Sequence, residues 1–125
     1  MQPDIIFIVL DTQRADRLGC YGYEKAITPN IDRFAAQSAL FEMGISPAQW
    51  TIPSHASMFT GLYPTAHQVT QSNRSLSNEQ PQLAERMVQE GYETVAFCNN
   101  PLVGCLLYTS PSPRDLSTSR MPSSA

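Results

Sequence analysis

Asp4-Ile5-Ile6-Phe7-Ile8-Val9-Leu10-Asp11 sets six consecutive apolar residues, most of them β-branched, between two carboxylates. Such a run suits a central parallel strand buried on both faces, and it is far shorter than the roughly 20 residues a membrane span needs. Thr94-Val95-Ala96-Phe97-Cys98 reads as a second buried strand. Helix signatures lie between the two. Thr28-Pro29 supplies an N-cap residue and a first-turn proline, and Ile31, Phe34, Ala35 and Ala39 follow as an amphipathic stripe. Pro81 opens another helix, with Leu83, Ala84, Met87 and Val88 facing inward and Gly91 ending it. Residues 39–46 read as a short extended segment and residues 69–80, polar and without periodicity, as a loop. The order strand, helix, helix, strand predicts an α/β fold, with a mostly parallel sheet flanked by helices through right-handed crossovers.

The chain has 125 residues, with 8 Lys+Arg against 11 Asp+Glu for a formal net charge of −3. An acidic chain without a basic run is a poor nucleic-acid binder, so anion binding must be local. The last 21 residues read differently from the rest. Cys105-Leu106-Leu107-Tyr108-Thr109-Ser110 is what TGT CTC TTA TAC ACA TCT encodes, and Pro111-Ser112-Pro113-Arg114-Asp115 follows from CCG AGC CCA CGA GAC. That DNA is similar to the transposase end and adaptor of a sequencing library. Residues 105–125 are therefore expected to be a non-native, disordered tail, and residues 1–104 a truncated fragment of a longer chain. Cys20 and Cys98 remain. Two unpatterned cysteines make neither a disulfide framework nor a zinc site, and buried thiols are expected. No signal peptide precedes the first strand, so the cytoplasm is the default expectation.

Ligands of open α/β sheets bind outside the carboxyl ends of the strands, which is where Asp11 falls. A carboxylate there can hold a divalent ion or cap the following turn. The second chemical feature is Thr51-Ile52-Pro53-Ser54-His55-Ala56-Ser57-Met58-Phe59-Thr60-Gly61. It places a hydroxyl just ahead of a proline that can open a helix, and a helix N-terminus presents unpaired N–H groups and a positive dipole end to an anionic ester. A threonine hydroxyl attacks only once a metal or base removes its proton. Thr51 can equally serve as the N-cap of a helix beginning at Pro53. Ser54 and Ser57 read as turn or packing residues, and Trp50 as packing or as one wall of a substrate pocket.

These stretches together resemble the sulfatase branch of the alkaline phosphatase superfamily. Its pattern is Cys or Ser, any residue, Pro, Ser, Arg, Ala, three variable residues, Thr, Gly; Thr51, Pro53, Ser54, Ala56, Thr60 and Gly61 are in register with it, and Leu62-Tyr63-Pro64 continues it. Asp11-Thr12-Gln13-Arg14-Ala15-Asp16 with Leu18-Gly19-Cys20-Tyr21-Gly22 is similar to the family's first metal-binding segment, and Thr28-Pro29-Asn30-Ile31-Asp32 to its Thr-Pro-Asn-Leu-Asp helix start. The resemblance implies the N-terminal part of an alkaline-phosphatase-like α/β sandwich. It implies a metal-dependent hydrolase of anionic sulfate, phosphate or phosphonate esters, with small-molecule, glycan or lipid substrates.

By the same resemblance Thr51 is the nucleophile and His55, in place of the family's arginine, a second catalytic group. Asp11, Thr12 and Thr51 would hold a divalent ion (Ca, Zn or Mn), and Arg14, Asn99 and Asn100 would contact substrate. His67 would be structural support. Three departures bear on the chemistry. Formylglycine formation needs Cys-x-Pro-x-Arg, so Thr51 and His55 imply that this group is absent. Thr12 replaces the second carboxylate of an Asp-Asp pair, and Cys98-Asn99-Asn100-Pro101 stands where Gly-Lys-x-His would bind sulfate. These differences tilt the expectation toward the phosphodiesterase-like relatives. The alternative is a non-catalytic fragment that at most binds anions.

Overall fold

The computed structural model describes residues 2–70, 75–77, 79–100 and 102–103. Part of the loop expected over residues 69–80 and the whole of the expected tail at 105–125 lie outside the described residues. The chain divides into two compact units, Met1–Ile45 and Ser46–Ala125.

In the first unit the expected strand is not formed. Among the described residues there is no β-strand, and Ile5 to Leu10 are exposed, Ile6 to 83%. A parallel strand is completed by the hydrogen bonds of its neighbours, and six apolar residues without such neighbours remain irregular whatever their propensity. A turn follows, closed by Gln13 N–H to the Leu10 carbonyl at 3.2 Å. Two 3₁₀ turns, Ala15–Arg17 and Gly19–Tyr21, lead to helix α1, Pro29–Ala35. Thr28 is the residue before α1 and Pro29 its first, as expected, but the helix ends before Ala39 and leaves Phe34 exposed.

What holds this unit is a polar clasp. Gly19 N–H donates to Thr28 Oγ1 at 3.1 Å, Cys20 N–H to Asp32 Oδ1 at 2.8 Å, and Thr28 Oγ1 to the Asp32 carboxylate at 3.2 Å. The first turn of α1 is thus tied to backbone N–H groups of the Leu18–Gly22 segment. Gly19 is required by space: a Cβ there would lie 2.7 Å from Asp32 Cγ.

The second unit has an apolar interior. Helix α2, Thr51–Thr60, ends at Gly61 in the left-handed conformation (φ 72°), with Gly61 N–H bonded to the Ser57 carbonyl at 2.8 Å. Helix α3, Pro64–His67, and helix α4, Leu83–Gln89, both pack on α2. Ile52 and Ala56, one turn apart, bury one face of α2 against Val69 and Leu76, and Trp50 packs at the edge. Helix α4 starts two residues after Pro81, with a capping box in which Gln82 N–H donates to Glu85 Oε2 at 2.9 Å. Its end follows the sequence expectation closely. Gly91 is left-handed (φ 86°), its N–H bonds the Val88 carbonyl, and Tyr92 N–H bonds the Met87 carbonyl, both at 3.0 Å.

The second expected strand, Thr94–Cys98, is also unformed, with Val95 and Phe97 exposed. The same absence of pairing accounts for it. Cys98 is exposed rather than buried, and Cys20 is half-buried. No helix among the described residues is long and apolar enough to cross a membrane.

Candidate active site around Thr51

Thr51 is the first residue of α2, and the residue that caps the helix is Trp50, whose backbone is extended (φ −143°, ψ 168°). The helix therefore opens two residues earlier than Pro53. This puts Pro53 inside the first turn, where its missing N–H costs no hydrogen bond. The Thr51 carbonyl is heavily used: it accepts from Ser54 Oγ at 3.0 Å and from His55 Nδ1 at 2.8 Å. A carbonyl only accepts, so Nδ1 of His55 carries the proton of that bond. His55 is buried, and its ring meets the edge of Phe59 at 6.0 Å between centroids. It thus fastens the start of α2 from one turn below.

A second histidine completes the support. His67 is 2% exposed. Its Nδ1 accepts from Val69 N–H at 3.0 Å, which leaves Nε2 to donate to Ser57 Oγ at 2.9 Å. This tautomer cannot act as a base toward Ser57, so the pair joins α3 to α2 rather than forming a nucleophile–base couple. Burial pushes the His67 pKa below its ordinary value, with the nearby Pro53 carbonyl and His67's own backbone acting the other way. His67 is therefore the structural support that the sequence suggests.

In the first unit, Asp11 and Thr12 occupy the turn after Leu10, and Thr12 has a left-handed backbone (φ 62°). A β-branched residue rarely adopts that conformation, and such strain concentrates at functional positions. Arg14 does not reach out for an anion. Its guanidinium grips Asp16 bidentately, at 2.9 Å through Nε and 2.6 Å through Nη2, on an exposed surface. That hydrogen bond raises the Arg14 pKa and holds the Asp16 carboxyl below the usual carboxylate range.

Asn99 is exposed, whereas Asn100 shapes its own backbone, its Oδ1 accepting from Leu102 N–H at 2.9 Å. Of the candidates, Thr51 and His55 are brought together by α2. Asp11, Thr12 and Arg14 belong to the first unit, and Asn99 and Asn100 to the second. Among the described residues no three His, Cys, Asp or Glu side chains converge. Such side chains among the described residues therefore do not by themselves complete a donor set for a divalent ion.

A groove lies beside the start of α2, with a volume of about 600 Å³ and Trp50, Pro53, Pro64 and Val69 in its walls. The clasp at Asp32 and the Ser57–His67 joint were not visible as contacts in the sequence. Gly19 inside Leu-Gly-x-Tyr-Gly was the signal that something approaches that backbone closely.

Comparison with known proteins agrees with this reading of the motifs. The sulfatase family model matches residues 3–103, and the chain belongs to the sulfatase family. Its relatives include an ulvan-active sulfatase of Formosa agariphila, 32% identical over 94 residues, which are 75% of this chain and 19% of that protein. An N-acetylgalactosamine-6-O-sulfatase of Bacteroides thetaiotaomicron is 31% identical over 98 residues, 74% of this chain and 19% of the relative. Human arylsulfatase A is 33% identical over 99 residues, with 74% and 19% covered. The chain thus spans about a fifth of the length of these curated relatives. No solved structure matches it.

The family implies an alkaline-phosphatase-like α/β fold, to which the described residues contribute helices. Membership also corrects one expectation. The matches are sulfatases and arylsulfatases, the class that works with formylglycine, so the absence of that group does not follow from Thr51 and His55.

Proposed function

We propose that this chain carries the reacting segment of a sulfatase that hydrolyses sulfate esters, with Thr51 in the position of the attacking group. The observation that supports it is the placement of Thr51 as the first residue of a helix whose buried face fixes its direction. The positive end of the α2 dipole at Thr51 suits the charge that develops on sulfate oxygens.

In the step proposed, a bond forms between Thr51 Oγ and sulfur as the bond from sulfur to the ester oxygen breaks. The hydroxyl proton is taken by a base outside the described residues as Oγ attacks, and the leaving alkoxide takes up one proton. Water then cleaves the sulfated threonine, returning the hydroxyl and releasing hydrogen sulfate. His55 is a positioning residue here, because its ring holds the Thr51 carbonyl. Sulfate is favoured over phosphate as the leaving ester by the relatives, all of which are named for sulfatase activity.

The test is release of inorganic sulfate from 4-nitrophenyl sulfate and from N-acetylgalactosamine 6-sulfate by the full chain, beside 4-nitrophenyl phosphate. The expected result is sulfate release that Thr51→Ala abolishes. Equal turnover by Thr51→Ala, or release of phosphate alone, would sink the reading.

A further inference from the structure

We infer that Ile5–Leu10 is a self-association surface, at which the segment pairs antiparallel with the same segment of a second copy of this chain. Three observations meet there. Its six apolar side chains are exposed by 38 to 83%. Among the described residues no backbone hydrogen bond is formed by Ile5 to Val9. Asp4 and Asp11 bound the run, and neither glycine nor proline interrupts it. An exposed apolar segment with unpaired N–H and C=O groups is a template for another strand, and six residues are enough to form one.

The chemistry of the segment selects its occupant. A second strand satisfies the backbone groups as well as the apolar side chains, whereas lipid tails offer nothing to the backbone. The chain carries a net charge of −3 and two carboxylates flank the run, so an anionic membrane surface repels it. A second copy brings an uncharged segment of equal length, so apolar residues meet apolar residues throughout.

Charge and backbone together fix the register. In-register parallel pairing would stack Asp4 on Asp4 and Asp11 on Asp11. An antiparallel pair centred on Phe7 avoids this. Phe7 then faces Phe7, Ile6 faces Ile8, Ile5 faces Val9, and Asp4 faces Leu10. Opposed aromatic and β-branched residues are favourable cross-strand pairs, and like charges directly opposite are not. Alternate residues bond across one edge of such a pair, and the edge of Ile5, Phe7 and Val9 serves. It makes no demand on the Leu10 carbonyl, which Gln13 N–H already uses in the turn. Pro3, without an N–H, ends the ladder at the other side.

Sedimentation velocity on the full chain from about 1 to 100 μM tests the pairing, within the range where exposed strand edges associate. The sedimentation coefficient is expected to rise with concentration, and hydrogen exchange at the amides of residues 5–9 to slow in step. Phe7→Lys and Phe7→Glu should each weaken association about tenfold or more, because the new charge meets its own copy. Mixing the two variants should restore most of it, since lysine then faces glutamate. Met43→Lys, at a residue 83% exposed in the same unit, should leave association unchanged. Phe7 is no part of the buried cluster, so both Phe7 variants should keep the helical circular dichroism of the unaltered chain.

A chain that stays monomeric across this range overturns the inference. So does equal weakening by Met43→Lys, or a mixture that associates no more tightly than either Phe7 variant alone. Binding to phosphatidylcholine vesicles by a chain that does not self-associate would give the surface to lipid and overturn it as well.

Discussion

Helices α1 and α2 both begin at a family motif, yet different forces anchor them. Helix α1 is tied by the carboxylate of Asp32 and the hydroxyl of Thr28 to two backbone N–H groups, in half-exposed surroundings. Such bonds contribute about 0.5–1.5 kcal/mol each, because water competes for both partners. Helix α2 is anchored by burial, with Ile52, Ala56 and Val69 at 1% exposure or less. Full burial of one large aliphatic side chain contributes about 1.5–3 kcal/mol. The difference teaches where rigidity lies: the segment that presents Thr51 rests on the stronger anchor, and the segment from Gly19 to Asp32 on the weaker.

The sharpest way to break that contrast is at Ile52. Ile52→Ala should cost about 2–5 kcal/mol, read as a lower urea midpoint, since it empties the centre of the only apolar cluster found among the described residues. A cost under 0.5 kcal/mol would show that α2 is not held by burial. Gly19→Ala should follow at about 1–3 kcal/mol, because the new methyl meets the Asp32 carboxylate. In the Asp32→Ala background the same change should cost markedly less, and full additivity in that double-mutant cycle would disprove the clasp.

A smaller effect concerns pH. The folded pKa of His67 lies below 6.5, mainly because burial disfavours the imidazolium. Well above pH 6.5 the ring is neutral in both states, and the stability of the joint is whole. As pH falls below that, the unfolded chain takes up the proton first, so stability declines down through the folded pKa. The urea midpoint should therefore drop between pH 7 and pH 5, and His67→Gln should flatten the drop. An equal slope in that variant would remove His67 as its source. The smallest effect is expected from metals. Millimolar Ca²⁺, Zn²⁺ or Mn²⁺ should move the melting midpoint by less than about 1 °C, because stabilisation follows the ratio of free ion to Kd and the described residues lack a donor set. A rise of several degrees would show a tighter site than these residues form.

What the sequence made legible was local. The end of α4 at Gly91 and the start of α1 at Pro29 depend on residues within a few positions of one another, and both stand where expected, whereas α4 opens at Leu83 rather than Pro81 and leaves Ala84 and Val88 exposed. The strands at Ile5–Leu10 and Thr94–Cys98 did not follow from their apolar runs, because a strand exists only through pairing with distant chain. The clasp was illegible for the same reason, joining residues nine and twelve apart. At the candidate site the helix ending at Gly61 was readable, though it opens at Thr51 rather than at Pro53. That Arg14 is engaged by Asp16, and that His55 turns back onto the Thr51 carbonyl, are matters of side-chain geometry that residue types alone do not determine.

The most direct test of the central claim is to locate the transferred group. The full chain is incubated with a ³⁵S-labelled aryl sulfate, quenched in acid, digested and mapped by mass. Label confined to the peptide carrying Thr51, and lost in Thr51→Ala, is the result expected of a threonine at the start of α2 that attacks sulfur. Label on another peptide, or sulfate release with label that persists in Thr51→Ala, would contradict it.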